Sequence, residues 1–372
     1  MKKNPFILHG FNGKKYFCNR KEELADLIGH VLNDRNFTLY GWRRLGKTSL
    51  LHLLAIEIEK KHSVSTIYVD LSTCRSMTDL SFKLIEAVYE KFGKTKNDGF
   101  GKKLLQLLGS IGVSMRFNPV TGEPGISMEM KRSETEEPRL SEVLDFLSSR
   151  TGKILVVFDE FQQITRFQEN HAEALIRSIT QKYSSVRFGF SGSHRGIMQS
   201  VFNSHNRPFY QSTQMVDIGP IEKNTYIRFM QSMFKEGTHS LSENLAEEIY
   251  DWARGETYSI QLMGNTLFAQ DVKPDNGVLS RVKREIIERN SRMYTEYFKL
   301  IPLNQAELLK ALSKEGPTKG ITSKYFIGKY HLGAASTVQG AAQGLQDKEI
   351  IFKEVDTWYI QDVLFSKWLS TL

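Results

Sequence analysis

The stretch that decides the fold is Phe37-Thr38-Leu39-Tyr40-Gly41-Trp42-Arg43-Arg44-Leu45-Gly46-Lys47-Thr48-Ser49-Leu50-Leu51-His52-Leu53-Leu54. Its first four residues predict a short strand and its last six a helix. Between them residues 41–48 fit the phosphate-loop pattern G-x-x-x-x-G-K-[ST]. Glycines let such a loop curl so that successive N–H groups face phosphate oxygens, and the helix start adds positive partial charge. Lys47 is then expected at the β- and γ-phosphates and Thr48 at a Mg²⁺ ion. Gly41, Trp42, Arg43, Arg44, Leu45, Gly46 and Ser49 complete the predicted cradle.

Working outward, Thr66-Ile67-Tyr68-Val69-Asp70, Ile154-Leu155-Val156-Val157-Phe158-Asp159, Val186-Arg187-Phe188-Gly189-Phe190 and Met215-Val216-Asp217-Ile218 read as further strands. The run at 154–159 is apolar almost throughout, as expected for a parallel strand covered on both faces. It ends in Asp159-Glu160, at the edge of an open α/β sheet where ligands bind. Asp159 is expected to hold Mg²⁺ through water and Glu160 to act as general base on the attacking water. The next strand closes on Ser191-Gly192-Ser193, where a hydroxyl could orient that water or sense the γ-phosphate. Ser193 is the candidate, with Ser191 as the alternative.

Helical patterns separate these strands, so residues 1–220 are predicted to be a P-loop α/β domain with a parallel sheet of about five strands. Alternating residues on either side of 118–125 predict a β-hairpin insertion at about 111–131. It reads either as an exposed effector loop or as a hairpin capped onto the sheet edge, and the charged run from Lys131-Arg132 as a linker. Residues 221–300 show only helical patterns and are predicted to form a helical lid. Residues 301–372 show three helices and then Ile350-Ile351-Phe352 and Trp358-Tyr359-Ile360, the outline of a winged helix. Near the start, Asn19 and Glu22 resemble a capping box opening a helix at Leu24, Leu27, Ile28, Val31 and Leu32.

A chain of 372 residues is long enough for two or three domains, and 40% hydrophobic with 25% charged residues excludes a disordered composition. Cys18 and Cys74 are too few and too far apart for a disulfide framework or a thiolate metal site, so reduced thiols in the cytoplasm are expected. No apolar run reaches the roughly 18 to 20 residues of a membrane helix, and the start is not followed by the apolar core of a secretory signal. Net charge is +8. Residues 1–64 hold twelve Lys/Arg against six Asp/Glu, whereas residues 302–372 hold eight against seven.

Tyr16-Phe17-Cys18-Asn19-Arg20-Lys21-Glu22-Glu23-Leu24, the loop from Tyr40 to Leu50, Val157-Phe158-Asp159-Glu160-Phe161-Gln162, Ser191-Gly192-Ser193 and Ile218-Gly219-Pro220 follow one another as in a known family. The chain resembles the archaeal-type AAA ATPases, P-loop enzymes related to the signal-transducing STAND ATPases, and among them members with a C-terminal winged helix. The resemblance implies ATP and Mg²⁺ as cofactors, Asn19 and Arg20 near the adenine, and Asp159 and Glu160 as the magnesium and catalytic pair. Three departures stand out. Trp42 replaces a frequent proline; Ser212 occupies a position often held by arginine; and Gly255-Glu256-Thr257-Tyr258 lacks the proline of the family's lid motif. An arginine worth roughly 10³ to 10⁵ in rate would then come from Arg207, Arg195, a protein partner or a second copy of the chain.

The third helix of the winged helix carries Gln339 and Gln343 and no basic residue, with Lys319, Lys324, Lys329 and Lys348 nearby. Duplex DNA and a docking role within the chain or with another protein both remain open. The expectation is an ATP-hydrolysing enzyme coupling nucleotide state to the winged helix. The alternatives are a slow or partner-dependent nucleotide switch and a DNA-binding regulatory ATPase.

Overall fold

The computed structural model describes residues 3–93, 106–109, 113–117, 124–128, 136–237 and 239–372. Two compact units emerge, residues Arg20–Gly219 and a second made of Met1–Asn19 with Pro220–Leu372.

In the first unit α1 (Lys21–Leu32), β1 (Phe37–Tyr40), α2 (Lys47–His62), β2 (Ser65–Asp70) and α3 (Met77–Phe92) come first. The antiparallel pair β3 (Val113–Phe117) and β4 (Pro124–Met128) follows, then α4 (Glu136–Ser148), β5 (Ile154–Asp159), α5 (Ala172–Lys182), β6 (Val186–Gly192), α6 (Arg195–Asn203) and β7 (Gln214–Asp217). Five strands form a parallel sheet, as the sequence leads one to expect, and their order is β2-β5-β6-β1-β7. The order places β6 between the strand that enters the glycine loop and the strand that ends in Asp159. All six residues of β5 are buried, which accounts for its unbroken apolar run. Gly189 faces Phe37 across the β1–β6 register, and a Cβ there would lie 2.3 Å from the Phe37 ring. Beside the sheet, Phe161, Phe190, Phe202 and Phe209 form one aromatic cluster with centroids 4.6–5.8 Å apart.

The β3–β4 pair matches the expected hairpin and forms its own two-stranded sheet. Its tip and the expected linker at Lys131-Arg132 lie outside the described residues.

The second unit contains α7 (Lys223–Phe234), α8 (Glu243–Trp252), α9 (Thr257–Ala269) and α10 (Asn276–Lys299). It continues with α11 (Leu303–Glu315), β8 (Thr318–Lys319), α12 (Lys324–Tyr330), α13 (Ala335–Asp347), β9 (Ile351–Glu354), β10 (Thr357–Ile360) and α14 (Val363–Leu369). The last seven elements form the winged helix, its small sheet ordered β8-β10-β9. Lid and winged helix share one apolar core rather than meeting across a linker. The long helix α10 joins them: Tyr294 and Phe298 pack on Trp368, and Trp368 Nε1 donates to Ser291 Oγ over 3.1 Å. Arg254, in the turn between α8 and α9, donates to the Ile360 carbonyl at 2.6 Å and so ties the lid to the wing.

Residues 3–19 pack with this helical unit, whereas the sequence reading assigned them to the α/β domain. Phe6 is 1% exposed and stacks against Phe234 and Phe268. It lies over Gly264, where a Cβ would come within 2.5 Å of its ring. Asn4 Nδ2 donates to the Asn265 carbonyl and Asn265 Nδ2 donates to the Phe6 carbonyl, at 2.8 and 2.7 Å, so this segment is fixed to α9 by paired bonds.

Candidate nucleotide site

Residues 41–48 connect β1 to α2 as the motif requires. Gly41 passes so close to the backbone after β7 that a Cβ would stand 2.4 Å from the Ile218 carbonyl oxygen. Arg44 and Gly46 have φ of 62° and 90°, which turns the chain sharply enough for Lys47 to open the helix. With no nucleotide present, the Lys47 amine donates to the Gly41 and Trp42 carbonyls at 3.0 and 2.7 Å. Burial lowers its pKa from 10.5 to about 8, a shift that the carboxylates of Glu160 and Asp159 oppose.

The parallel pairing of β2 with β5 sets Asp70 opposite Asp159. Thr48 Oγ1 donates to Asp159 Oδ2 over 2.8 Å, joining residues 111 apart in sequence. Tyr68, on β2, donates its hydroxyl to the same oxygen at 2.5 Å. Burial and the Asp159 charge push the Tyr68 phenol pKa up, so it stays a donor at neutral pH. The His52 ring packs against Tyr68 with centroids 4.8 Å apart.

Glu160 follows in a left-handed conformation, φ 54°, ahead of a short 3-10 turn, Phe161–Arg166. Ser193 Oγ donates to Glu160 Oε2 at 2.7 Å, and Gln162 Nε2 donates to the same oxygen. Ser191, by contrast, is fully buried, and its hydroxyl has no hydrogen-bond partner among the described residues. Of the two serines it is Ser193 that meets the carboxylate.

Asn19 and Arg20 sit differently from the capping box expected of them. Helix α1 begins at Lys21 with Arg20 as its cap residue, left-handed at φ 65° and making no side-chain cap. The buried Arg20 guanidinium instead bonds the Leu45 carbonyl at 3.2 Å, the Gly219 carbonyl at 2.7 Å and the Glu23 carboxylate at 2.7 Å. The arginine candidates are also engaged. Arg195 pairs with Asp217 and lies 5.8 Å from the Trp42 ring, and Arg207 pairs with Glu173 at 3.1 Å. Ser212 donates to the Phe209 carbonyl at 2.7 Å and closes a turn.

Sequence reasoning missed Tyr68 and Gln162. Tyr68 carries a polar tip between the apolar Ile67 and Val69, and Gln162 stands two residues past Glu160; each is a weak signal until the strand order is known.

Residues 17–263 match the model of an ATPase domain predominantly from Archaea, and residues 292–371 match a probable winged helix domain. Among solved structures, the Walker-type ATPase PabY2304 of Pyrococcus abyssi is 18% identical with a TM-score of 0.66, over 98% of this chain and 99% of that one. The Aeropyrum pernix ORC2 protein, solved as ADPNP–ADP complexes, is 11% identical with a TM-score of 0.65, over 99% and 96% of the two chains. The Aeropyrum pernix ORC1 protein in complex with DNA is 14% identical with a TM-score of 0.54, again over 99% and 96%. At these identities the likeness is one of fold. No curated protein matched the chain.

Proposed function

The chain belongs to the family of ATPase domains found predominantly in Archaea and is an ATP-hydrolysing enzyme; on that premise we propose that it is a Mg²⁺-dependent, AAA-type ATPase whose site is built on residues 41–49, Asp159, Glu160 and Ser193. Lys47 takes the β- and γ-phosphates, Glu160 accepts the proton of the attacking water, and Ser193 sits where a γ-phosphate is sensed. Thr48 and Asp159 offer hard oxygen donors, and Mg²⁺ needs only one or two such protein ligands beside phosphate and water, so the donor set fits the ion. When bound, the ion would neutralise charge on the β- and γ-oxygens. The Tyr68 hydroxyl holds Asp159 in place for it.

The observation that carries this reading is the convergence of the loop and the acidic strand end, seen in the 2.8 Å bond between Thr48 and Asp159. Steady-state phosphate release from Mg²⁺-ATP tests it. Glu160→Gln should abolish turnover and keep ATP binding, whereas Lys47→Ala should lose both. Unchanged turnover in Glu160→Gln would overturn the assignment. A cytoplasmic setting belongs to the same proposal and is supported by two buried free thiols, Cys18 and Cys74.

A second reading concerns the partner. Gln339 and Gln343 are exposed one turn apart on α13, with exposed Lys319 and Lys324 in the same winged helix. These groups suit duplex DNA, and the likeness to a protein solved with DNA favours it. Salt-sensitive binding of a duplex, weakened by Lys324→Ala or Gln339→Ala, would support this; no binding at low salt would remove it. Because Arg195 and Arg207 are each held in an ion pair, we assign the catalytic arginine to a protein partner or a second copy of the chain.

A further inference from the structure

The Glu160 carboxylate is restrained by Gln162, two residues further along the chain, a residue given no role so far. Ser193 Oγ and Gln162 Nε2 both donate to its Oε2. Gln162 Nε2 also reaches Ser193 Oγ at 3.3 Å, which closes a three-membered hydrogen-bond ring. Glu160 Oε1 takes no hydrogen bond among the described residues. Two donors fill the lone pairs of one carboxylate oxygen and leave its twin as the proton acceptor.

The orientation of the amide follows from its neighbour. A carboxylate only accepts, so the Gln162 nitrogen must face it and Oε1 must face away. That Oε1 is buried without a partner, a rare arrangement that calls for a reason. It lies against Gly192, where a Cβ would come within 2.6 Å of Gln162 Oε1 and 2.3 Å of Met198 Sδ. The 3-10 turn is fixed in turn by Gln163 N–H to the Glu160 carbonyl and by Thr165 Oγ1 to the Gln162 carbonyl, at 3.0 and 2.9 Å. A backbone held on both sides and an absent side chain at 192 leave the amide one place to go, and that place is Glu160 Oε2.

We propose that Gln162 is a positioning residue for hydrolysis, anchoring Glu160 by Oε2 together with Ser193 so that Oε1 is presented to the attacking water. The inference rests on the reading of Glu160 as general base. No bond forms or breaks at Gln162: the water oxygen bonds to the γ-phosphorus, the bond from that phosphorus to the ADP oxygen breaks, and the water proton passes to Glu160 Oε1.

The test compares kcat, KM, ATP affinity and melting temperature for Gln162→Met, Ser193→Ala, Glu160→Gln and the double variant Gln162→Met/Glu160→Gln, using the full chain with Mg²⁺-ATP. Methionine matches glutamine in length and lacks the donor. Gln162→Met should lower kcat about ten- to a hundredfold, the range for residues that orient a functional group, with KM and ATP affinity within about twofold. In the Glu160→Gln background, which retains ATP binding, the same change should leave ATP affinity and melting temperature unchanged, because Gln162 acts on turnover through Glu160. If Gln162→Met folds poorly, Ser193→Ala removes the other donor to the same oxygen and should reproduce the kcat-specific loss. A rise in KM, or loss of ATP affinity or melting temperature in either background, would mean a structural role and overturn the proposal. Full turnover in Gln162→Met beside a dead Glu160→Gln would overturn the proposal alone. Full turnover in Glu160→Gln would overturn the general-base reading and the proposal with it.

Discussion

Replacing Lys47 by methionine should stabilise the nucleotide-free protein while abolishing its response to ATP. Burial lowers the Lys47 pKa from 10.5 to about 8, which disfavours the folded, charged form by about 3 kcal/mol at neutral pH. Methionine keeps the length of the stem and carries no charge. It leaves the Gly41 and Trp42 carbonyls without their present donor, a loss of about 1–2 kcal/mol, so the variant should gain about 1–2 kcal/mol at pH 7. The folded pKa lies below the unfolded one, so between about pH 8 and pH 10.5 the unfolded wild type binds more protons. Wild-type stability therefore rises across that window, and the penalty is complete below it. Urea unfolding at several pH values should show the variant's advantage shrinking by about 2–3 kcal/mol between pH 8 and pH 10. Parallel stability profiles for the two proteins would refute the burial argument. Mg²⁺-ATP at a hundred times its Kd adds about 2.7 kcal/mol to a protein that binds it only when folded. The wild type should show this gain and the variant almost none; a variant that kept it would refute the role of Lys47 at the phosphates.

Gly41→Ala should destabilise the α/β unit by about 1–3 kcal/mol and weaken ATP binding, because the new Cβ meets the Ile218 carbonyl at 2.4 Å and neither backbone can yield; thermal unfolding and nucleotide titration check it. Tyr68→Phe removes one of the two donors to Asp159 Oδ2, so the Mg²⁺-dependent part of ATP affinity should fall about ten- to a hundredfold while affinity without the metal stays unchanged. Fluorescent-nucleotide titrations with and without Mg²⁺ measure both. Phe6→Ala should cost about 3–5 kcal/mol in unfolding experiments, since a fully buried ring seated between Phe234, Phe268 and Gly264 is lost.

What could be read from sequence was local: a strand, a glycine loop and a helix in immediate succession, and an apolar run ending in two carboxylates. These features need only neighbouring residues, so periodicity and loop chemistry report them directly. The partnership of Tyr68 with Asp159 depends on β2 pairing with β5, and that of Ser193 with Glu160 on β6 lying next to β5. Neither adjacency is written in either segment. Phe6 was equally silent, because one aromatic residue among polar ones has no period; its burial comes from Gly264, some 258 positions later, which leaves room for its ring. The capping-box reading of Asn19 failed for a related reason. Asn19 and Arg20 both take left-handed backbone, at φ 53° and 65°, and the long-range bonds of the Arg20 side chain accompany a helix start that a local rule assigns differently.

Those bonds fix Arg20 at the edge of the α/β unit. The chain passes between its two compact units at Asn19–Arg20 and at Gly219–Pro220. A single guanidinium, 4% exposed, holds the Gly219 carbonyl at one crossing and belongs to the other by its own backbone. Its second carbonyl partner is Leu45, in the glycine loop next to Gly46. A planar guanidinium with forked donors suits several fixed acceptors at once better than a flexible ammonium does. The glycine loop, the start of α1 and the last residue of the α/β unit are thus joined through one guanidinium, which bonds the Leu45 and Gly219 carbonyls and the Glu23 carboxylate.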